Sequence, residues 1–404
     1  MSGHQAWREV AIAAVALPIA ITLAVMAFAW PAGRISPRDV PVGIVGAGPA
    51  SQRAVEGLTR EKPGAFDFHL YPDQQAARSA IKNRDVYGAF AISDRSFTVL
   101  QATAASPAVA QLLTDVGQQL ADKTTQRTAA LQKAEGAHSP AKTHKQTAAQ
   151  QGAAGQKAAL QGAAGTDSSV PVLVKAVDVV PVATEDPRGV VFSSSVFPLT
   201  ICGILIGAFV TMARGLARPR HRVLTLLVAC AVAALGVYLV AQGFLGALPH
   251  NHVATWAILS LDLLSISATT AGVIRLVGPA GLGLSAALMV FVGNAFSGAT
   301  SAPEMLPKGV DYVGQWLPPG AGASLLRDTT YFDGNADTGH LAVLVLWSVC
   351  GLTAVMFGHW VIREARGRKT GAPASGELLP PLPGSDTALP VRRHAHARRH
   401  DGDD

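Results

Sequence analysis

The sequence has few charged residues and few cysteines. Asp, Glu, Lys and Arg together make up 15% of the 404 residues, whereas 49% are hydrophobic. A chain of this length with so little charge is too apolar to be wholly soluble, so we expect an integral membrane protein. The three cysteines, Cys202, Cys230 and Cys350, all lie in apolar stretches. Their positions exclude a disulfide framework or a thiolate metal site in an exposed domain.

The sequence also lacks the short motifs of catalytic and cofactor sites. It contains no G-x-x-x-x-G-K-[ST] phosphate loop, no H-E-x-x-H zinc motif and no G-x-S-x-G nucleophile motif. We therefore predict that the chain is not an enzyme and that it holds no cofactor or metal ion. Any ATPase that works with it has to be a separate subunit, because the chain itself cannot cradle phosphates in this way.

One string imitates a dinucleotide-binding fingerprint. In VGIVGAGPAS, Gly46 and Gly48 follow a predicted strand, and Ser51 stands where the fingerprint has a third Gly or Ala. The surrounding domain is too short for a complete doubly wound sheet. We interpret the string as a strand-to-helix turn, and nucleotide binding stays the less favoured alternative.

Six apolar runs are each close to the length that a helix needs to cross a hydrocarbon core of ~30 Å. They cover residues 10–30, 191–213, 223–248, 253–274, 276–299 and 341–362. The first run is interpreted as a retained anchor rather than a cleaved signal peptide, because Phe28, Trp30 and Pro31 make a poor cleavage site. The fold class predicted is an α-helical integral membrane protein with about six transmembrane helices, one before and five after an inserted domain.

The positions of the basic residues predict the orientation of these helices. Arginines are concentrated in the loop 214–222 and basic residues follow residue 362, whereas the loop 247–252 has no Lys or Arg. By the positive-inside rule, residues 1–9 and a disordered tail, 363–404, are cytoplasmic in a multi-pass protein of the plasma membrane. The net charge of +6 is thus a topology signal and favours anionic membrane lipids, with no nucleic-acid partner.

Residues 31–190 have the pattern of an α/β extracytoplasmic domain. Strand-like runs at 40–45, 66–71 and 86–92 alternate with helix-like runs at 51–61 and 74–83. An Ala- and Gln-rich arm, about 107–166, is predicted to begin as a helix and to continue either as a long polar helix or as a flexible segment. A further strand is expected within 170–182, where β-branched residues return.

Two polar residues inside the predicted spans are candidates for a functional role. Asp262 lies midway along the fourth run, where a carboxylate costs about 2.5 to 3.5 kcal/mol on insertion scales and usually faces a bundle interior or water. The alternative is a structural hydrogen bond to neighbouring Ser or Thr residues. Asn294 either forms a hydrogen bond to another helix, with a role in transport, or serves structural packing. Gly203 and Gly207 suit close helix packing within the chain or at a homodimer face.

Prolines are frequent in the segment 300–340 after the fifth run, which makes regular helix unexpected there. We interpret this segment either as one that lies on or dips into the outer membrane interface and caps a pathway, or as an ordinary external loop.

Several strings of the sequence, in their order and spacing, resemble a known family. All of them precede the sixth run. In chain order they are VPVGIVGAG, DQQAARSAIKNRDVYGAFAIS, VDVVPVATEDPRGVVFSSSVFPL, NAFSGATSAPEMLP and WLPPGAGASLLRD. Together they look like the actinobacterial branch of the ABC type 2 permease superfamily, close to the phage-infection-protein-like membrane proteins. In that family an Asn closes the helix and a Pro-rich segment ends in an Arg, which corresponds here to Asn294 and Arg327.

The resemblance implies an exporter subunit or a related envelope component, with one helix, an extracytoplasmic domain and then five helices. Members that couple to an ATPase have a long amphipathic helix before the first span and a coupling helix after the second. Here only residues 1–9 precede the first run and the loop 214–222 is short. A separate ATPase subunit therefore stays an open expectation.

Two hypotheses for function follow. The first is a permease-like subunit of an export system that moves an amphipathic or lipid-like substrate and works as a homodimer, with Asp262, Asn294 and Arg327 as candidate transport or packing residues. The second is a non-transporting envelope protein, phage-receptor-like or a secretion scaffold, that acts through its extracytoplasmic domain.

Overall fold

The computed structural model describes residues 18–19, 22–46, 48–92, 96–137, 173–186, 189–213, 215–216, 218–246, 251–332, 334 and 338–369. Most of the first predicted span, the later part of the Ala- and Gln-rich arm and the tail after residue 369 lie outside these residues. The described chain is mostly helical and contains one small α/β sheet.

A sheet domain forms the first half of the described chain. A short helix, α1 Thr22–Ala32, precedes it. The elements of the domain are β1 Val40–Val45, α2 Pro49–Glu61, β2 Phe66–Tyr71, α3 Gln74–Lys82, β3 Gly88–Ile92, β4 Ser96–Gln101, α4 Pro107–Ala137 and β5 Leu173–Asp178. The sheet order is β2-β1-β3-β4-β5. β1 pairs in parallel with β2 and β3, β3 pairs antiparallel with β4, and β4 pairs in parallel with β5.

The core of the sheet domain follows from the apolar patterns of its strands and of α4. In β1, Val40, Val42 and Ile44 are fully buried, as expected for a central parallel strand. In α4, Val109 and Leu113 are spaced four residues apart, which places both on the face that packs against the sheet. The three predicted strands and two predicted helices of the first half are confirmed, and β4 is an additional strand that the sequence pattern did not predict.

Four helices of the second half are long and apolar enough to cross a membrane. They are α5 Val190–Met212, α6 with its π-helical continuation, Pro219–Gly243, α7 His252–Val277, and the stretch Thr338–Gly358 of α11. Two apolar helices are shorter, α1 Thr22–Ala32 and the helix Ala280–Asn294, which begins as α8 and continues as a π-helix from Ala287. This is the architecture of a helical membrane protein, and the predicted number of six crossings stays a prediction.

Helix α7 lies at the centre of the bundle. It packs against α5, α6, α8 and a further helix, α10 Pro318–Tyr331. A Cβ atom on Gly203 would overlap Ile266 of α7, and one on Gly207 would overlap the Ser267 carbonyl. The Ser267 hydroxyl also donates a hydrogen bond of 2.9 Å to the Gly203 carbonyl. Both glycines of α5 therefore serve packing within the chain, the first of the two alternatives for this pair.

The prediction of an irregular segment after the fifth run is wrong in part. Residues 303–305 form one 3₁₀ turn, and two helices follow, α9 Val310–Gln315 and α10 Pro318–Tyr331. Pro318 and Pro319 occupy the first turn of α10, where proline has no intrahelical hydrogen bond to lose and its φ already suits a helix. These two prolines therefore begin a helix instead of preventing one.

Helix α11, Thr338–Lys369, also differs from the prediction at its end. The predicted span stops at residue 362, with a disordered tail expected from residue 363. The helix instead continues to Lys369, because Glu, Ala, Arg and Lys in this stretch favour helix without needing a packed apolar face.

Candidate functional site

A small apolar cavity lies within the helical bundle next to Asp262. Its walls come from α5, α6, α7 and α10, and Asp262 is the one charged residue among them. The cavity volume is about 40 Å³, so it holds the centre of a water-sized group but not a whole drug-sized molecule. The remaining lining is almost entirely apolar, and its larger side chains are Phe192, Leu199, Val237, Ile258, Leu259 and Leu326.

Helical spacing carries Asp262 to the inner face of α7. Thr255, Leu259, Asp262 and Ile266 succeed one another at three or four residues and are all buried, so they form one stripe along the helix. Asp262 stands ten residues after the first residue of α7, or about 15 Å along the axis at 1.5 Å per residue. A carboxylate at this depth of a membrane-length helix is the exceptional feature of the bundle.

The carboxylate of Asp262 is poorly satisfied. The residue is 6% exposed, and its Oδ1 atom is buried without a hydrogen-bond partner among the described residues. The hydroxyl of Ser265 donates at 2.7 Å to the main-chain carbonyl of Asp262 and not to its side chain. A structural bond from a neighbouring Ser or Thr, the alternative raised from the sequence, is therefore not seen for Oδ1 in the described chain.

A glycine on α10 leaves room for this carboxylate. A Cβ atom added to Gly322 would overlap the Oδ1 atom of Asp262. The close approach of α10 to α7 thus requires a residue without a side chain at position 322. Any larger residue there would fill the space beside the carboxylate.

Arg327 lies about one turn after Gly322 on α10. Its side chain contacts α5 and the segment that follows the π-helix. It is 5% exposed, its Nη2 donates to the Ala299 carbonyl at 2.9 Å, and its guanidinium carbon lies 4.9 Å from the centre of the Phe192 ring. Burial, with a smaller contribution from the nearby Arg84, lowers the pKa of the Arg327 guanidinium to about 10. The group therefore stays positively charged at neutral pH, and it contacts α5 through the Phe192 ring.

Asn294 lies in a different place, at the end of the π-helix that follows α8. It lines a cleft of about 190 Å³ together with Phe28 of α1 and Phe197 of α5. Its Nδ2 atom is buried without a partner among the described residues, so an interhelical hydrogen bond from this atom, one of the two alternatives raised from the sequence, is not observed there.

The first two turns of α5 connect the three candidate residues. Phe192 lines the cavity of Asp262 and lies under the Arg327 guanidinium, and Val196 lines both that cavity and the cleft of Asn294. Asp186 fixes the start of this helix, because its carboxylate accepts hydrogen bonds of 2.8 and 2.9 Å from the first two backbone N–H groups of α5. The three residues therefore surround one helix without touching a common space.

A second group of polar residues lies where the sheet domain meets the bundle. Arg84, at the end of α3, forms an ion pair with the carboxylate of Asp328 on α10. Asp328 is fully buried, and the Arg84 side chain is 14% exposed. Arg84 also adopts a positive φ of 62°, a conformation that costs a non-glycine residue free energy. Arg84 therefore keeps an unfavourable backbone conformation, and its guanidinium neutralises the buried carboxylate of Asp328.

Further hydrogen bonds join the sheet domain to the segment after α8. The Tyr87 hydroxyl donates to the Glu304 carboxylate at 2.7 Å, and the Ser106 hydroxyl donates to the Ser301 carbonyl at 2.5 Å. Burial raises the pKa of the Tyr87 phenol well above its usual value, and the charge of Glu304 adds to this effect. The phenol is therefore a permanent hydrogen-bond donor at neutral pH. We call this set of contacts, with the ion pair of Arg84 and Asp328, the junction.

The sequence did not single out the residues of the junction. Arg84, Tyr87 and Asp328 lie in strings that carry the family resemblance, but none has a neighbour in sequence that suggests its partner. The junction borders a polar cavity of about 500 Å³ that is open to the surface. Among the described residues, no group of three or more His, Cys, Asp or Glu side chains is placed to hold a metal ion.

Comparison with known proteins adds no assignment to this geometry. No family model, no curated protein and no solved structure matches the chain. The residues of the site offer a lone carboxylate in an apolar cavity, and a hydrogen-bonded connection from the bundle to the sheet domain.

Proposed function

We propose that the chain is a permease-like membrane subunit that exports an amphipathic or lipid-like substrate. Asp262 and its cavity carry the proposal. A carboxylate that is buried midway along a membrane-length helix costs free energy, and the lack of a partner for its Oδ1 atom in the described chain gives it no evident structural compensation. Such residues commonly mark substrate or ion pathways.

The wider arrangement supports the same role. In the proposed topology, the sheet domain is extracytoplasmic and both chain ends are cytoplasmic, as the distribution of basic residues predicts. The junction then joins this domain to α10, which also forms a wall of the Asp262 cavity. A movement of the sheet domain would reach the cavity through α10. The resemblance to ABC type 2 permeases adds a homodimer and a separate ATPase subunit to the proposal.

The test of this function is efflux from cells that make the full-length protein. Efflux of ethidium, Nile red and dodecylamine is measured separately. For each probe that the wild type exports, we expect Asp262→Asn to reduce the initial rate by roughly 10- to 100-fold, because a contact to a charged group contributes about 1.5 to 3 kcal/mol. The substitution preserves the size of the side chain and removes its charge. The amount of protein in the membrane is measured on the same cells by immunoblotting.

Ser260→Ala is the matched control for this experiment. Ser260 lies on the same helix, its hydroxyl donates to the Trp256 carbonyl at 2.7 Å, and it does not line the cavity. Its efflux rate should equal that of the wild type. Equal efflux by the wild type, Asp262→Asn and cells without the protein would contradict a permease role and favour the envelope-protein hypothesis.

A further inference from the structure

The lining of the Asp262 cavity contains an acidic residue and no basic residue. Among its lining residues Asp262 alone is charged, and the described chain contains no ion pair to it. Arg327, the cation nearest along α10, is directed to the Ala299 carbonyl and the Phe192 ring instead. An anionic group would be disfavoured beside this acid, and a neutral group would not supply the counter-charge that ionisation of a buried carboxyl group requires. A cation would supply what the site lacks.

The size of the cavity limits which cation fits. A volume of about 40 Å³ accepts a water-sized group, and a primary ammonium group is of that size. Its three N–H donors suit a carboxylate oxygen that has no hydrogen bond. Bulky cations in which the charge is shielded by rings or several methyl groups do not fit beside Gly322 without displacing α10. The apolar walls formed by Leu199, Val237 and Leu259 suit an alkyl chain rather than a polar tail.

We propose that this cavity binds the ammonium head of a primary alkylamine, in its protonated form, through an ion pair and hydrogen bonds to Asp262. Because the cavity volume of about 40 Å³ accommodates the head group and not a long chain, the alkyl chain extends out of the cavity between the helices. This site would make primary alkylamines the substrates of the proposed permease, so the cellular role of the site rests on the proposed function. Binding itself can be measured without any transport.

The experiment uses the purified full chain in phosphatidylcholine nanodiscs. The probe is a dodecylamine that carries a diazirine next to the amine, and the labelled peptides are located by mass spectrometry after irradiation. We expect labelling of α7 and α10 near Asp262 and Gly322, displaced by unlabelled dodecylamine but not by dodecanol or tetraphenylphosphonium. The matched diazirine-bearing dodecanol should label lipid-facing helices diffusely and without such competition.

Variants of the two facing residues sharpen the result. Asp262→Asn should reduce labelling at this site at least about tenfold, as expected for loss of a contact to a charged group, and Ser260→Ala should not change it. Gly322→Ala keeps the carboxylate but fills the space beside it, so it should also reduce labelling. If either variant fails to give a monodisperse protein, the competition on the wild type still decides.

Two results would overturn the inference. One is amine labelling that dodecanol displaces as well as dodecylamine does, and the other is equal labelling of the wild type and a well-folded Asp262→Asn. If the amine labels this site but the wild type exports no probe faster than cells without the protein, the binding site stands and the permease proposal fails. If efflux depends on Asp262 without amine labelling, the permease stands and the substrate class is wrong.

Discussion

Arg84→Ala is expected to lower the free energy of unfolding by about 3 to 5 kcal/mol, because it breaks a buried ion pair by removing one partner. The partner left behind is Asp328, which is fully buried, so the variant carries an uncompensated charge inside the protein. The loss is measured on the full chain in detergent, by titration with SDS. Because the pair joins the sheet domain to α10, protease sensitivity of the sheet domain should increase in parallel.

Two further variants separate the ion pair from other causes. Lys123→Ala removes an ion pair of similar composition, to Glu61, but both side chains are largely exposed, so a change within about 1 kcal/mol is expected. The double variant Arg84→Ala with Asp328→Asn removes both charges and should recover part of the loss. A small effect of Arg84→Ala, equal to that of Lys123→Ala, would show that the buried pair does not hold the junction together.

Gly207→Ala is expected to destabilise the bundle by about 1 to 3 kcal/mol, the usual cost of overpacking a close contact. The added methyl group would overlap the Ser267 carbonyl and force α5 away from α7. That movement also stretches the hydrogen bond from Ser267 to the Gly203 carbonyl, one turn away. The measurement is again unfolding of the full chain in detergent.

Gly236→Ala is the matched control, since Gly236 lies on α6 and a Cβ atom there would meet nothing within 4 Å. Without a clash, the better helix propensity of alanine should leave stability unchanged or raise it by up to about 1 kcal/mol. A loss of stability for Gly207→Ala without a loss for Gly236→Ala is the expected result. If Gly207→Ala were as stable as Gly236→Ala, α5 would not approach α7 closely at Gly207 in the folded protein.

Local sequence patterns predicted much of the sheet domain. β1 and β2 begin and end at the predicted residues, because their β-branched and aromatic runs are bounded by residues that favour turns. The position of Asp262 on the inner face of α7 also follows from local spacing, since apolar and small residues recur with the helical period on either side of it.

The junction could not be predicted in the same way. Tyr87 and Glu304 are 217 residues apart in sequence, and only the folding of the segment after α8 against the sheet domain brings them together. Helix α10 was not predicted for a different reason. Proline disfavours the interior of a helix but is favourable in its first turn, and the composition of the segment does not show where in a helix a proline will lie. Long-range pairing of polar residues leaves no periodic signal in a single sequence.

The most direct test of the account is the side of the membrane on which the sheet domain lies. In a chain whose three cysteines are replaced by alanine, single cysteines are introduced as Gln75→Cys, in the exposed first turn of α3, and as Ser375→Cys, in the C-terminal tail. Whole cells are then treated with a membrane-impermeant maleimide. If the sheet domain is extracytoplasmic and the tail cytoplasmic, position 75 reacts in intact cells and position 375 reacts only after permeabilisation. Protection of position 75 together with labelling of position 375 in intact cells would contradict this topology.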